Sequence, residues 1–195
     1  MKVNFVKTFI PAKDFVAVEK VGNKMLVRFD AVKDADMDAY SCVEGSVSAS
    51  EYNEQEMRRE YEAWKQKLAE KALVLAKKAK IAEIAAYDTS DKVNGFMLNG
   101  QIVWLDKATR VGLMNSTTIS KAAGQKTTTL WLGGLKLVVD CDKAIQLLSA
   151  LEMYALECFN VTASHKAAVS ELMSIEDVEV YDYKKGYPKM LDMSV

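Results

Sequence analysis

The sequence predicts an α+β protein with a small N-terminal antiparallel β unit, a long central helix and a C-terminal ββα-ββα domain. Three observations predict it. Two β-prone runs flank a Gly-Asn pair near the N-terminus, residues 51–87 contain neither Gly nor Pro, and a strand–turn–strand–helix pattern occurs twice beyond residue 95. The corresponding segmentation is 1–49, 50–87 and 88–195.

In the first segment, Phe15 to Val18 and Met25 to Phe29 surround Gly22-Asn23 and read as a hairpin. Residues 39–47 supply a third strand. Strands this short bury little apolar area, so the unit is expected to lean on another element.

Residues 51–87 are rich in Glu, Lys, Ala and Leu, which favour helix. Ser48 followed by Glu51 reads as a capping box. The apolar stripe runs through Met57, Tyr61, Trp64, Leu68, Ala72, Leu75, Ala79, Ala82 and Ala86. Its mean spacing of about 3.6 residues is that of a straight helix, not the 3.5 of a sustained coiled coil. Such a helix is roughly 50 Å long. Met57, Tyr61, Trp64 and Leu68 are therefore the candidate partner-binding residues, with the N-terminal strands as the intramolecular alternative for part of the stripe.

The C-terminal segment repeats itself. Phe96 to Gly100, Gln101 to Leu105 and Asp106 are echoed 34 residues later by Leu130 to Gly134, Leu135 to Val139 and Asp140. Asn99-Gly100 and Gly133-Gly134 suit primed hairpin turns. Asp106 and Asp140 sit where helix N-caps belong. Two copies are too few for a solenoid. A last long helix is expected over about 142–172, with the stripe Leu147, Leu151, Tyr154, Cys158, Val161, His165, Ala168 and Leu172. The aromatic-rich end, with Tyr181, Tyr183 and Tyr187, is expected to pack back onto the domain.

Composition excludes several classes. The net charge of −1 lacks the basic excess of a nucleic-acid binder. The apolar run between Lys2 and Lys7 is too short for a signal-peptide core. No stretch approaches the roughly 18 apolar residues that span a bilayer. Three widely separated cysteines, Cys42, Cys141 and Cys158, suit a reducing compartment. The expectation is a soluble cytoplasmic protein without membrane or nucleic-acid partners.

The chain offers no catalytic, cofactor-binding or metal-ligating constellation. His165, the single histidine, lies in an apolar helical stripe and reads as a hydrogen-bonded, partly buried side chain. Cys158 lies two turns away, about 10 Å by helix rise, too far for a Cys–His nucleophile pair. Gly124-Gln125-Lys126-Thr127 lacks the upstream glycine of a phosphate loop and reads as a helix C-cap before a strand. Lys77, Lys78 and Lys80 read as a solvated helix face. Trp104 and Trp131, one on each hairpin, read as core, with a ligand platform as the alternative.

The segments LNGQIVWLDKATRVGLMNS (98–116), KAAGQKTTTLWL (121–132), ALEMYALECFNVTASHKAAV (150–169) and VEVYDYKKGYP (178–188) resemble the domain of unknown function 4376. That family occurs in bacterial and bacteriophage proteins, often among phage and prophage tail or tail-fibre genes. The resemblance covers about residues 77–190. Residues 11–30 look like the leader attached to this domain in gut-bacterial members. The resemblance implies a tail context and no catalytic residue. The leading expectation is a tail-associated structural or assembly accessory protein that binds other protein chains, itself included, as a homo-oligomer. A small-molecule or peptide-binding module is the alternative, with Trp104, Trp131 and the C-terminal tyrosines as its lining. An enzyme acting on cell-wall sugars ranks last, because no two carboxylates can be paired across a pocket from the sequence.

Overall fold

The computed structural model describes residues 3–194 and divides the chain into two compact units, Met1–Ala72 and Leu73–Val195. The secondary structure is α+β, with an N-terminal antiparallel sheet, a long central helix and C-terminal strands and helices.

The first unit is a four-stranded antiparallel sheet in the order β1-β4-β3-β2, formed by β1 (Asn4–Pro11), β2 (Val18–Val21), β3 (Lys24–Asp34) and β4 (Ala39–Ser48). Gly22 takes φ +59 in the β2–β3 turn, a left-handed backbone that a residue without Cβ adopts freely. Strand β1 was not expected. Its apolar residues Phe5, Val6, Phe9 and Ile10 do not alternate, and Pro11 suits only an edge or a strand end. A bulge interrupts β3 between Phe29 and Val32 and holds Asp30 at φ +47.

Helix α1 (Glu54–Asp88) begins three residues after Glu51. The Ser48–Glu51 capping box is corrected by the structure: Asn53 Oδ1 accepts the Glu56 N–H at 3.1 Å, so Asn53 does the capping. Within the first unit, the early turns of α1 cover one face of the sheet. Met57 and Tyr61 are buried with Val27, Phe29 and Val47, and Phe5, Val43 and Trp64 pack around them. Gly45 makes room for this arrangement, since a Cβ there would lie 2.6 Å from the Phe5 ring and 3.1 Å from Met57 Cε.

The second unit contains the end of α1, α2 (Asp91–Asn94), β5 (Phe96–Leu98), β6 (Gln101–Val103), α3 (Lys107–Ala122), β7 (Thr127–Leu132), β8 (Leu135–Asp140), α4 (Cys141–Glu171), α5 (Ile175–Val180) and β9 (Asp192–Met193). The duplicated ββα order is present. Asn99 and Gly100 take φ +49 and +81, and Gly133 and Gly134 take +56 and +88, so both hairpin tips have two left-handed residues. A Cβ at Gly100 would project into open space, so only backbone strain opposes substitution there. Gly100→Val is expected to lower stability by about 1–2 kcal/mol, the cost of a side chain in the left-handed region, measured by chemical denaturation.

Asp106 and Asp140 cap α3 and α4 through Thr109 N and through Asp142 N and Lys143 N. Gly124 (φ +82) closes α3, with Gln125 N–H donating to Ser120 O and Gly124 N–H to Lys121 O. The chain end packs back as expected. Strand β9, too short to read from sequence, pairs in parallel with β5 to complete the sheet order β6-β5-β9, while β7 and β8 form a separate hairpin. Phe96, Leu98, Val103, Leu130, Leu132, Leu148, Leu151 and Tyr154 fill the core.

Candidate binding cleft

The buried neighbours of each tryptophan decide where it goes. Val103, the last residue of β6, and Leu105 just beyond it are buried in the core, and Trp104 between them is 40% exposed. Leu130 and Leu132 likewise turn Trp131 outward, leaving it 59% exposed. The core reading of both tryptophans is thereby corrected. One of them, Trp104, lines a cleft of about 400 Å³ in the second unit. That volume lies in the range of ligand sites.

The cleft lies between α3 and α4 and is rimmed by the end of α1 and by α2. Its apolar surface comes from Trp104, Ala155, Leu156 and Phe159. Leu156 and Phe159 are more than half exposed. Arg110, itself buried, donates from Nε to Glu152 Oε1 at 2.9 Å and from a terminal nitrogen to Leu105 O at 2.7 Å. Burying this charge is tolerable because both partners answer it.

Asp106 accepts the Thr109 N–H at 2.8 Å and the Thr109 hydroxyl at 2.7 Å. Those two bonds, the backbone one first, hold its carboxyl below the usual carboxylate range. Asp88 Oδ1 accepts from the Thr162 hydroxyl at 2.7 Å, and Asn94 Nδ2 donates to the Asp88 carbonyl. The walls are thus apolar and aromatic, and Asp88, Asn94, Asp106, Arg110 and Glu152 are held by bonds within the fold.

The sequence-derived residues fall elsewhere. Met57 and Tyr61 lie in the core of the first unit, 0% and 3% exposed. Tyr61 stacks on Phe29 with ring centroids 4.2 Å apart and donates its hydroxyl to Asp30 Oδ2 at 2.6 Å. Burial and the Asp30 carboxylate raise the Tyr61 pKa far above the usual phenol value. Trp64 is partly buried, its ring 5.5 Å from that of Phe5. Only Leu68, 47% exposed, faces solvent. The intramolecular cover therefore accounts for Met57 and Tyr61, and four strands instead of three provide it.

Two of the three lysines are not a solvated face, which corrects that reading. Lys77 Nζ donates to Ser170 O at 2.6 Å and Lys80 Nζ to Glu179 O at 3.2 Å. Each ammonium thus meets a carbonyl in the last turn of a helix, α4 or α5, where intrahelical donors run out. His165 is held by Tyr181 through Nδ1 and by the Lys185 carbonyl through Nε2, each at 2.9 Å. Among the described residues, no three His, Cys, Asp or Glu side chains are grouped so as to hold a metal ion. Also among them, no helix is long and apolar enough to cross a membrane.

The cleft was not legible as a site, although one signal existed. Met153, Leu156 and Phe159 lie off the buried stripe of α4, so the helix carries a second apolar line that its own core does not use.

Fold and cleft together define an α+β domain built on a duplicated ββα unit, with a preformed surface cleft beside its first helix. A family model described as domain of unknown function (DUF4376) matches residues 75–185, more than half of the chain. The chain belongs to that family, and every residue lining the cleft lies inside the matched region. Comparison with curated proteins and with solved structures gives no match.

Proposed function

We propose that this chain is a structural or assembly accessory protein of a phage or prophage tail, acting by binding other protein chains and not by catalysis. The observation that supports it best is the gathering of Trp104, Leu156 and Phe159, all substantially exposed, at one cleft. Fully burying a large apolar side chain is worth roughly 1.5–3 kcal/mol, and clustered exposed apolar residues mark interaction sites. The tail context comes from the family resemblance, and with it a place in the virion after synthesis in the cytoplasm. Leu68, 47% exposed, offers a smaller apolar surface, on which a second copy of the chain could sit.

The test is the size of the particle that carries the chain in cells producing it from its own genome. The wild type is expected in an assembly larger than the 21.7 kDa chain, and Phe159→Asp in the monomer fraction. A wild type that is monomeric throughout tail production overturns the proposal. The volume of the cleft supports a second reading, a small-molecule or peptide-binding module. That reading expects a monomer whose cleft is occupied.

A further inference from the structure

We infer that the cleft beside α3 accepts a basic side chain, lysine or arginine, presented by a partner protein. This inference rests on the proposed binding role and names the chemistry of the occupant.

The argument is a balance of donors and acceptors. The positive groups at the cleft are largely spent. Arg110 is engaged by Glu152 and by the Leu105 carbonyl. The first-turn N–H of Thr109, which an anion would otherwise meet at the start of α3, is taken by Asp106. Lys107 adds one further cation to the lining.

Acceptors are in surplus. Asp88, Asp106 and Glu152 line the cleft, and an ionised carboxylate offers about four lone-pair sites. Glu152 accepts Arg110 through Oε1, Asp88 accepts Thr162 through Oδ1, and Asp106 accepts Thr109 once at each oxygen, so lone pairs remain on all three. Three carboxylates against two cations leave the lining net acidic. A ligand that donates hydrogen bonds and carries positive charge is therefore favoured over an anion.

The apolar surface selects among cations. Trp104 and Phe159 expose aromatic rings, which attract an ammonium or guanidinium through their negative faces. Leu156 and Ala155 suit an aliphatic stem. A lysine or arginine side chain has both parts, whereas a hydrated metal ion has no use for the apolar walls. The chain offers a parallel elsewhere in this unit, where the Lys80 ammonium lies 5.8 Å from the Tyr183 ring centroid while its Nζ meets a carboxylate, that of Glu83, at 3.3 Å.

The experiment titrates full-length ¹⁵N-labelled protein with capped tripeptides whose central residue is arginine, lysine, citrulline or glutamate. The Trp104 indole N–H signal, assigned through Trp104→Phe, is the readout. Arginine and lysine peptides are expected to shift it saturably, and less so as salt rises. Citrulline, which keeps the shape of arginine without its charge, should bind at least about tenfold more weakly, and glutamate should not bind. Phe159→Ala, a change at an exposed position, should weaken the arginine peptide about two- to fivefold, the worth of one exposed cation–aromatic contact. Equal binding of citrulline and arginine, preference for glutamate, or no shift with any peptide overturns the inference. Loss of the large assembly in Phe159→Asp alongside any of those results would leave the binding role standing and remove only the basic occupant.

Discussion

Replacing Tyr61 by alanine is expected to lower the stability of the first unit by about 3–5 kcal/mol, the usual cost of deleting a buried aromatic ring. The ring is 3% exposed, stacks on Phe29 and touches Phe5 and Trp64. Its removal empties the centre of a small core. Tyr61→Phe keeps the ring and loses the hydroxyl bond to Asp30, so its cost should be nearer 1 kcal/mol. Hydrogen exchange of the β3 and β4 amides measures both. Leu68→Ala, at an exposed position on the same helix, should stay within about 0.5 kcal/mol. Equal, small effects at the two positions would mean that Tyr61 is not a core residue.

The same contact sets a pH dependence. The hydrogen bond from Tyr61 holds the Asp30 carboxyl below its ordinary value, with Lys65 contributing further. A carboxyl whose folded pKa is lowered stabilises fully above its unfolded value, near 4, and this contribution is lost as pH falls through the lower folded value. The stability difference between wild type and Tyr61→Phe should therefore shrink on acidification across that window.

Arg28→Leu is the second large effect, expected at about 3 kcal/mol. The Arg28 side chain is 6% exposed and forms ion pairs with Glu19 at 2.8 Å and Glu44 at 3.0 Å, while also donating to the Val16 carbonyl. It thereby ties β2, β4 and the segment before β2 to the centre of the sheet. Removing one partner of a buried pair costs about 3–5 kcal/mol. Glu19 and Glu44 keep some contact with water, which places this case at the low end. Arg28→Lys should recover only part of the loss, because an ammonium cannot reproduce the planar fork that reaches several acceptors at once. A change below about 1 kcal/mol in urea denaturation would contradict this role.

What could be read from the sequence was what local chemistry dictates. The two hairpin tips and both aspartate caps needed only short-range rules, since Asn-Gly and Gly-Gly pairs favour left-handed turns and an aspartate before a helical run satisfies its free N–H groups. The long helix followed from thirty-seven residues without Gly or Pro. Features set by tertiary partners escaped. Strand β1 exists because β4 pairs with it along its whole length, and β9 because β5 offers it a free edge. Trp104 and Trp131 illustrate the same limit, as a general tendency of tryptophan to be buried lost to an alternation fixed by the leucines and valine beside them. Met57 and Tyr61 were recognised as an apolar stripe, but only the fourth strand and Gly45 show how a small sheet covers them. The cleft could not be assembled in advance, because Asp88, the Trp104–Arg110 segment and Phe159 come from three separate parts of the chain.

The central claim is that the cleft serves binding and not stability. Its most direct test is the double substitution Trp104→Ser/Phe159→Ser, with melting and assembly measured on the same preparation. Both side chains are substantially exposed, so unfolding free energy should change by no more than about 0.5 kcal/mol per site, while the chain leaves its large assembly for the monomer fraction. A variant that melts like the wild type and still enters the assembly would contradict the claim, as would one whose assembly and stability fall together.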